Sequence, residues 1–157
     1  MNVRHATSDD ANTLAELNGH VQQVHVDALP HVFKPDIVDD ELVALHTERL
    51  NRDDGRYWIA EDDDQVVGYI NALVINRPEN LFGYARYHIL VDAMSVNPEY
   101  YGTGVADQLM QVVKDWASEE GIQRIVLDVW AFNERAKRFY EKQGFSTYNY
   151  RMELMLE

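Results

Sequence analysis

The feature that most constrains this chain is a glycine-rich turn, Tyr101 to Ala106, between a candidate strand and a candidate helix. The apolar run 85–96 before the turn predicts a long strand. The segment after it, 105–119, predicts a helix that stops near Gly121 and carries one apolar stripe, formed by Val105, Leu109, Val112, Val113 and Trp116. A further apolar run, 124–130, predicts the next strand. When a helix connects two strands of one sheet, the two strands are usually parallel, so one parallel pair is expected here.

The remaining segments predict antiparallel neighbours for this pair. Pro30 and Pro35 separate two helical patterns near the N-terminus, because proline interrupts helical hydrogen bonding. The acidic run from Glu61 to Asp64 lies between two apolar runs and predicts a hairpin turn. The predicted strands are 2–6, 56–61, 65–76, 85–96 and 124–130, with one bent or two short strands over 145–156. The predicted helices begin at Ser8 or Asp9, then cover 36–49, 105–119 and 133–143.

These elements predict an α/β (α+β) fold in the order β-α-α-β-β-β-α-β-α-β(-β). The chain has 157 residues and shows no linker, repeat or low-complexity stretch. Because globular domains mostly have about 100–200 residues, we expect residues 1–157 to form a single domain.

The charge balance argues against nucleic acid as a partner. The chain has 14 basic and 27 acidic side chains, a net charge of −13, which repels a polyanion. Residues 1–64 hold 5 bases and 15 acids, so they contribute −10 of this charge. A cationic ligand is therefore favoured near the first part of the chain and an anionic ligand in the second. A solvated surface that aids solubility is an equally good explanation of the acidity.

Composition also excludes several kinds of site. The chain has no cysteine, so thiolate nucleophiles and cysteine-based metal sites are excluded. His5, His20, His25, His31 and His46 show no metal-binding spacing, and we expect no metal. The N-terminus lacks an apolar signal core, and no run approaches the roughly 18–20 apolar residues of a membrane span. The sequence therefore predicts a cytoplasmic protein with no membrane partner.

The glycine-rich turn is a candidate site for a phosphate or pyrophosphate. Glycine lets backbone N–H groups approach a ligand, and the following helix adds unpaired N–H donors and the positive end of its dipole. Such turns also cap helices without any ligand. Asp107 stands where the dinucleotide-binding fingerprint requires Gly or Ala, and no Gly-Lys pair exists for the phosphate loop of nucleotide hydrolases.

A second candidate is the segment from Asn133 to Phe145. Asn133 follows a strand and is suited to cap the next helix. Ala136, Phe139 and Tyr140 share one helical face, which is typical of a packed core face. Tyr140 also adds a proton donor to that face, and a departing thiolate requires a donor.

Together the two segments resemble the GCN5-related N-acetyltransferase (GNAT) superfamily. Residues 96–106 match its strand followed by Gln/Arg-x-x-Gly-x-Gly/Ala, and residues 133–145 match its Asn-x-x-Ala-x-x-x-Tyr-Glu-Lys-x-Gly-Phe motif. One departure is Tyr101, which stands where the family usually has Gln or Arg. The resemblance implies the acyl-CoA N-acyltransferase fold, a mixed, mostly antiparallel central sheet with helices on both faces.

The resemblance implies acetyl-CoA as co-substrate and direct acetyl transfer to a primary amine. It assigns the pantetheine arm to the strand edge at Met94 and Val96 and to Asn133, with the thioester carbonyl polarised by backbone N–H near Met94. It assigns Tyr140 as the acid that protonates the CoA thiolate. The pyrophosphate would lie on the N–H groups of one turn, formed by Tyr101, Gly102, Thr103, Gly104, Val105 and Ala106.

A base is expected as well, because the attacking amine must be neutral, and this base acts directly or through water. Asp92 lies two residues before Met94, so strand alternation predicts both side chains on one face. The family often has Glu or His at this position. Asp92 is therefore the candidate base, while a solvated carboxylate explains it equally well. Strand alternation predicts His88 on the same face as Asp92, but His88 lies farther from the thioester.

The acceptor is expected on residues 26–40 and on the loop 77–84. The first segment carries Asp27, Asp36, Asp39 and Asp40, which suits a cationic amine, although Asp36 and Asp39 also suit helix caps. A small amine, a lysine side chain and a peptide N-terminus all remain open. C-terminal strands often pair between subunits in this family, which makes a homodimer a further expectation.

Two other functions fit part of the sequence. A non-catalytic acyl-CoA sensor of the same fold would keep the glycine turn, but it has no use for Tyr140 as a thiolate acid. An acidic interaction domain without a cofactor would leave both the turn and the Asn133 to Phe145 segment unexplained.

Overall fold

A computed structural model describes residues 1–35 and 40–156 of the chain. The elements are β1 (Asn2–His5), α1 (Ala11–Ala28), α2 (Asp40–Leu50), β2 (Gly55–Asp62), β3 (Gln65–Arg77), β4 (Arg86–Val96), α3 (Val105–Glu119), β5 (Ile125–Leu127) and α4 (Glu134–Lys142). Short 3-10 turns at Ser8–Asp10 and Pro98–Tyr100 precede α1 and the glycine-rich turn.

One five-stranded sheet runs in the order β1-β2-β3-β4-β5. The first four strands pair antiparallel, and β5 pairs parallel to β4. This arrangement confirms the mixed, mostly antiparallel sheet and the predicted parallel crossover through α3. Right-handed crossovers place the connecting helix against the sheet, which explains the position of α3.

Helices cover both faces of the sheet, as expected. On one face, Leu14 and Leu17 of α1 pack against Tyr57, Ile59 and Tyr69. The opposite face carries the larger core, in which α3 packs against β2, β3 and β4 through Val105, Leu109, Met110, Val113 and Trp116. Phe139 and Tyr140 of α4 pack against this second core. We call the two sides the α1/α2 face and the α3/α4 face.

Polar contacts hold α1 on its face of the sheet. The Ser95 hydroxyl donates to the backbone carbonyl of Leu17 over 2.6 Å, and the Tyr69 hydroxyl donates to Asn18 Oδ1 over 3.1 Å. Both bonds join the middle of α1 to strands β3 and β4. They fix the position of the helix that borders the site described below.

The C-terminal segment differs from its prediction. Residues 145–156 were expected to form one bent or two short strands, and they lie in no strand. The apolar side chains at alternate positions are open to solvent, with Tyr150 81%, Met152 89% and Leu154 81% exposed. A strand requires a partner for its backbone groups, and β5 has only three residues in the sheet. The prediction of a closing strand is wrong for the single chain.

The boundaries of one strand and one helix also differ from those predicted. The predicted strand 124–130 pairs only over Ile125–Leu127, because the chain leaves the sheet after Leu127. The helix predicted over 36–49 is observed as α2 from Asp40, and residues 36–39 lie outside the described part of the chain. None of the helices in the described ranges is both long and apolar enough to cross a membrane.

Strand β4 contains a bulge that decides where its side chains lie. Ala93 pairs with Asn71 and Val91 pairs with Ala72, so Asp92 is an extra residue on β4. The bulge shifts the alternation by one, and Val91 and Met94 consequently both pack on the α3/α4 face. The prediction that Asp92 and Met94 share a face is therefore wrong. It assumed a regular strand, and nothing in the local sequence signals the extra residue.

Candidate active site

The site begins where β4 and β5 separate. Strand β5 pairs with β4 at three positions only, from Ile89↔Ile125 to Val91↔Leu127. Residues 93–96 of β4 pair with β3 on one side and have no strand on the other within the described chain. This opening, which we call the gap, leaves the outer backbone edge of β4 unpaired at Met94 and Val96. An unpaired edge is suited to bind an extended amide-bearing chain as an added strand would.

The glycine-rich turn lies at the end of β4, next to the gap. Gly102 and Gly104 adopt φ of +80° and +93°, a left-handed conformation that glycine adopts without strain. A Cβ added at either position would meet no atom within 4 Å. The glycines therefore satisfy the turn geometry and also leave open space above the N-terminus of α3.

Four N–H groups of the turn have no acceptor within residues 1–35 and 40–156, those of Gly102, Gly104, Val105 and Ala106. The N–H of Tyr101 donates to the Pro98 carbonyl over 3.1 Å, and that of Thr103 donates to the Tyr100 carbonyl over 3.3 Å. The expected six donors are thus reduced to four that are available. Donors at a helix N-terminus beside open space fit a diphosphate.

Asn133 lies directly before α4 as its N-cap, and Tyr140 lies on α4. The Asn133 Oδ1 accepts from the Ala136 N–H over 3.1 Å, which is the helix-capping role predicted for it. Its side-chain NH₂ has no acceptor in the chain as described and remains available to a ligand. Tyr140 is half-buried, with its ring 5.3 Å from Phe139 and 5.8 Å from Phe145.

Burial raises the pKa of Tyr140 to about 12, and the positive charge of Arg135 opposes this in part. The hydroxyl is therefore protonated at neutral pH and keeps a proton to donate. Lys114 of α3 donates to the Gln143 side-chain oxygen over 2.7 Å, and Gln143 donates in turn to Asp107 over 2.7 Å. These bonds fix the end of α4 against α3 and hold Tyr140 on the α3/α4 face.

Asp92 lies on the opposite side of the sheet. Its Oδ2 is 3.4 Å from Nη1 of Arg49, on the last turn of α2. The two predicted proton-handling groups, Asp92 and Tyr140, are thus on the α1/α2 face and the α3/α4 face. They are not side by side, and the gap between β4 and β5 lies between the two faces.

An aromatic cluster that sequence reasoning missed borders the site. His25 of α1 stacks on Phe33 at 4.9 Å, and Phe33 meets Trp130 edge-on at 5.2 Å. Phe132 contacts both His25 and Trp130, each at 5.9 Å. Burial lowers the pKa of His25, which favours the neutral ring. The cluster joins the end of α1 to the loop between β5 and α4, and its members come from two distant segments, 25–33 and 130–132.

The acceptor residues predicted from sequence are only partly placed. Asp36 and Asp39 lie outside the described residues, and Asp27 accepts from the Gln23 side chain over 2.6 Å. The loop 77–84 caps the β3–β4 hairpin. Asp92 lies six positions after Arg86 on β4, which is about 20 Å of strand. This loop thus has no direct place at the gap, and its role stays a prediction.

Two histidines, His88 and His46, are buried in structural positions. His88 is buried on β4, and its pKa is lowered by burial and by the charges of Arg124, Arg77 and Arg86. His46 of α2 is 1% exposed, and its Nδ1 lies 3.3 Å from the Tyr57 hydroxyl. No group of three or more His, Cys, Asp or Glu residues in 1–35 and 40–156 is placed to hold a metal ion.

Comparisons with known proteins agree with this fold. Among solved structures, the tetramutant of the BH1408 protein from Bacillus halodurans superposes with a TM-score of 0.92 at 23% identity, covering 99% of this chain and 100% of that one. A predicted acetyltransferase from Clostridium acetobutylicum, solved with acetyl-CoA, superposes with a TM-score of 0.71 at 22% identity, covering 98% and 95%. At these identities the likeness supports the fold alone.

Sequence comparison identifies the family. N-acetyltransferase 8F1 of Rattus norvegicus is 30% identical over 91 residues, which is 58% of this chain and 39% of the relative. The chain thus spans about two-fifths of the length of such curated relatives. The family model described as acetyltransferase (GNAT) family matches residues 21–145, well over half of the chain. The chain belongs to the GNAT acetyltransferase family.

Proposed function

We propose that this protein transfers the acetyl group of acetyl-CoA directly to a primary amine. The observation that carries the proposal is the gap between β4 and β5, which opens beside four available N–H donors and lies between Asp92 and Tyr140. The residues fit the cofactor: the turn suits a diphosphate, and the edge at Met94 and Val96 suits the amides of a pantetheine arm.

In the proposed reaction, bound acetyl-CoA supplies an activated acyl group as a thioester. Asp92, directly or through water, takes the proton that the amine loses. A bond forms between the amine nitrogen and the carbonyl carbon, and the carbon–sulfur bond breaks. Backbone N–H near Met94 stabilises the negative charge on the carbonyl oxygen. The Tyr140 hydroxyl donates a hydrogen bond to the departing sulfur.

The pKa of about 12 defines what Tyr140 can contribute. A thiol ordinarily has a pKa of about 8.5, so complete proton transfer from Tyr140 to the thiolate is uphill. We therefore assign Tyr140 mainly as a hydrogen-bond donor to the developing charge. This places its contribution at the low end of the range for general acids.

Tyr140→Phe should lower kcat by roughly tenfold or more, because it removes the hydroxyl and keeps the ring. The affinity for acetyl-CoA should be nearly unchanged. Steady-state kinetics, binding and melting temperature measured on the same variant test this. An unchanged kcat with a lowered melting temperature would instead assign Tyr140 to packing alone.

Asp92→Asn should lower kcat/KM by about tenfold or more, because the amide cannot accept the proton of the amine. Arg49→Gln is the matched control, since it breaks the same ion pair and leaves the carboxylate in place. If Asp92 is the base, only Asp92→Asn should lose activity. Equal effects of the two variants on stability, with no effect on rate, would assign Asp92 to the ion pair.

We propose a cationic amine as acceptor, on the basis of the −10 charge of residues 1–64 and the position of Asp27 on α1. A screen of amines, polyamines, aminoglycosides, lysine peptides and free peptide N-termini for acetyl-CoA-dependent thiol release tests both reaction and acceptor. Preference for a neutral or anionic acceptor would contradict the electrostatic argument. If acetyl-CoA binds but no thiol is released with any of these acceptors, the non-catalytic acyl-CoA sensor is favoured instead.

The homodimer stays a prediction, and the mass of the protein in solution, compared with 18.2 kDa for one chain, tests it. The cytoplasmic location stays a prediction as well.

A further inference from the structure

Tyr101, the residue that departs from the family motif, has an arginine on its ring. The Cζ atom of Arg135, on the first turn of α4, lies 3.7 Å from the centroid of the Tyr101 ring. Such stacking holds a guanidinium in one orientation by cation–π attraction. The contact joins the glycine-rich turn to α4 and places a fixed positive charge beside the turn.

The stacked pair faces a cavity. Tyr101, Arg135 and Pro98 form one side of a cavity of about 540 Å³, and α1 forms the other side through residues that include His20 and Asp27. The glycine turn, with its four available N–H donors, continues directly from Tyr101. The positive side of the cavity is therefore the side that adjoins the expected diphosphate.

Arg135 also differs from Lys137 and Arg138 on α4 in having no hydrogen-bond acceptor in the described part of the chain. Lys137 pairs with Glu134 over 2.8 Å, and the Arg138 Nε donates to the Glu134 carbonyl over 3.2 Å. Arg135 forms no ion pair or hydrogen bond within residues 1–35 and 40–156. A guanidinium that is oriented by stacking and keeps its donors unused is suited to bind an anion with two parallel hydrogen bonds.

We propose that Arg135, positioned by Tyr101, binds a phosphate group of CoA. The inference rests on the proposed function and adds a residue to its cofactor site. In this arrangement the side chain from α4 supplies a cation beside the turn, where Tyr101 itself carries none. The phosphate belongs either to the diphosphate or to the 3′-phosphate of the ribose, and both present the same chemistry to a guanidinium.

The test is the dissociation constant of CoA and of dephospho-CoA, measured by calorimetry on the native chain and on Arg135→Gln. Charge-assisted hydrogen bonds predict about tenfold weaker binding of CoA to the variant. A loss seen only with CoA assigns the 3′-phosphate, and an equal loss with dephospho-CoA assigns the diphosphate. Arg138→Gln removes the same charge from the same helix and should bind CoA as the native chain does.

Two further variants separate a binding role from general electrostatics. Tyr101→Leu keeps Arg135 but removes the stacking, so a smaller loss of about two- to threefold is expected. In the double variant Tyr101→Arg, Arg135→Gln, a cation returns on the turn itself, and part of the affinity should return. Native affinity in Arg135→Gln, or an equal loss in Arg138→Gln, would overturn the inference while leaving the proposed function intact. No CoA binding by the native chain would overturn both.

Discussion

Gly104→Val is expected to abolish the stabilisation that acetyl-CoA gives to the native chain. At 100 times its dissociation constant a ligand adds about 2.7 kcal/mol to the free energy of unfolding, which is roughly 5–10 °C in melting temperature for a domain of this size. The valine side chain would occupy the open space beside the turn, where an added Cβ meets no atom within 4 Å. The donors of the turn would then be covered.

The variant also carries a backbone cost, which needs its own control. Gly104 has φ of +93°, and a β-branched residue is strained there by about 1–2 kcal/mol. Gly121 has φ of +66° and equally open space, but it lies at the far end of α3. Gly121→Val should therefore lower the basal melting temperature and keep the full shift with acetyl-CoA. A full shift in folded Gly104→Val would show that the turn is not the cofactor site.

His46 should make the free energy of unfolding fall as the pH drops from about 6.5 to 4. Burial against Tyr57 and Tyr69, with a smaller contribution from the charge of Arg49, lowers the pKa of His46 to about 4. Its Nε2 is buried and has no partner within the described ranges. In the unfolded chain the ring protonates near its ordinary pKa of about 6.5, so acid favours the unfolded state. At about 1.36 kcal/mol per pH unit, the loss approaches 3 kcal/mol at pH 4.

Urea unfolding of the native chain and of His46→Leu between pH 4 and 8 measures this dependence. The free energy of unfolding of the native chain should fall relative to that of His46→Leu as the pH falls, because the variant has no ring to protonate in the unfolded state. His31→Leu, which removes an exposed histidine, is the matched control and should keep the native slope. Parallel curves for the native chain and His46→Leu would contradict the assignment.

The parts of the fold that local sequence determines were predicted well. α3 spans the predicted residues 105–119, because a glycine in the left-handed region starts the helix and an apolar stripe defines its buried side. Asn133 caps α4 as its position before the helix indicates. The two motifs carry short-range geometry, so the turn and the helix that follow each strand could be derived without knowledge of the rest.

The parts that depend on a partner were not predictable in this way. The bulge at Asp92 exists only in the pairing of β4 with β3, and the stacking of Arg135 on Tyr101 joins residues 34 positions apart. Residues 145–156 alternate as a strand does, but no strand within residues 1–35 and 40–156 pairs with them. The cluster around His25 depends in the same way on contacts between distant segments.

The bulge in β4 also limits which changes in length this chain tolerates during evolution. Side chains on β4 alternate regularly between the two faces of the sheet on either side of Asp92, but the extra residue at Asp92 shifts one half of the strand by one position relative to the other. Deleting that residue would invert one half of the strand, exchanging its buried and exposed sets, or would pull the turn about 3.3 Å along the sheet. Loops absorb such deletions because their ends adjust. At this position the fold is therefore more sensitive to a deletion than to a substitution.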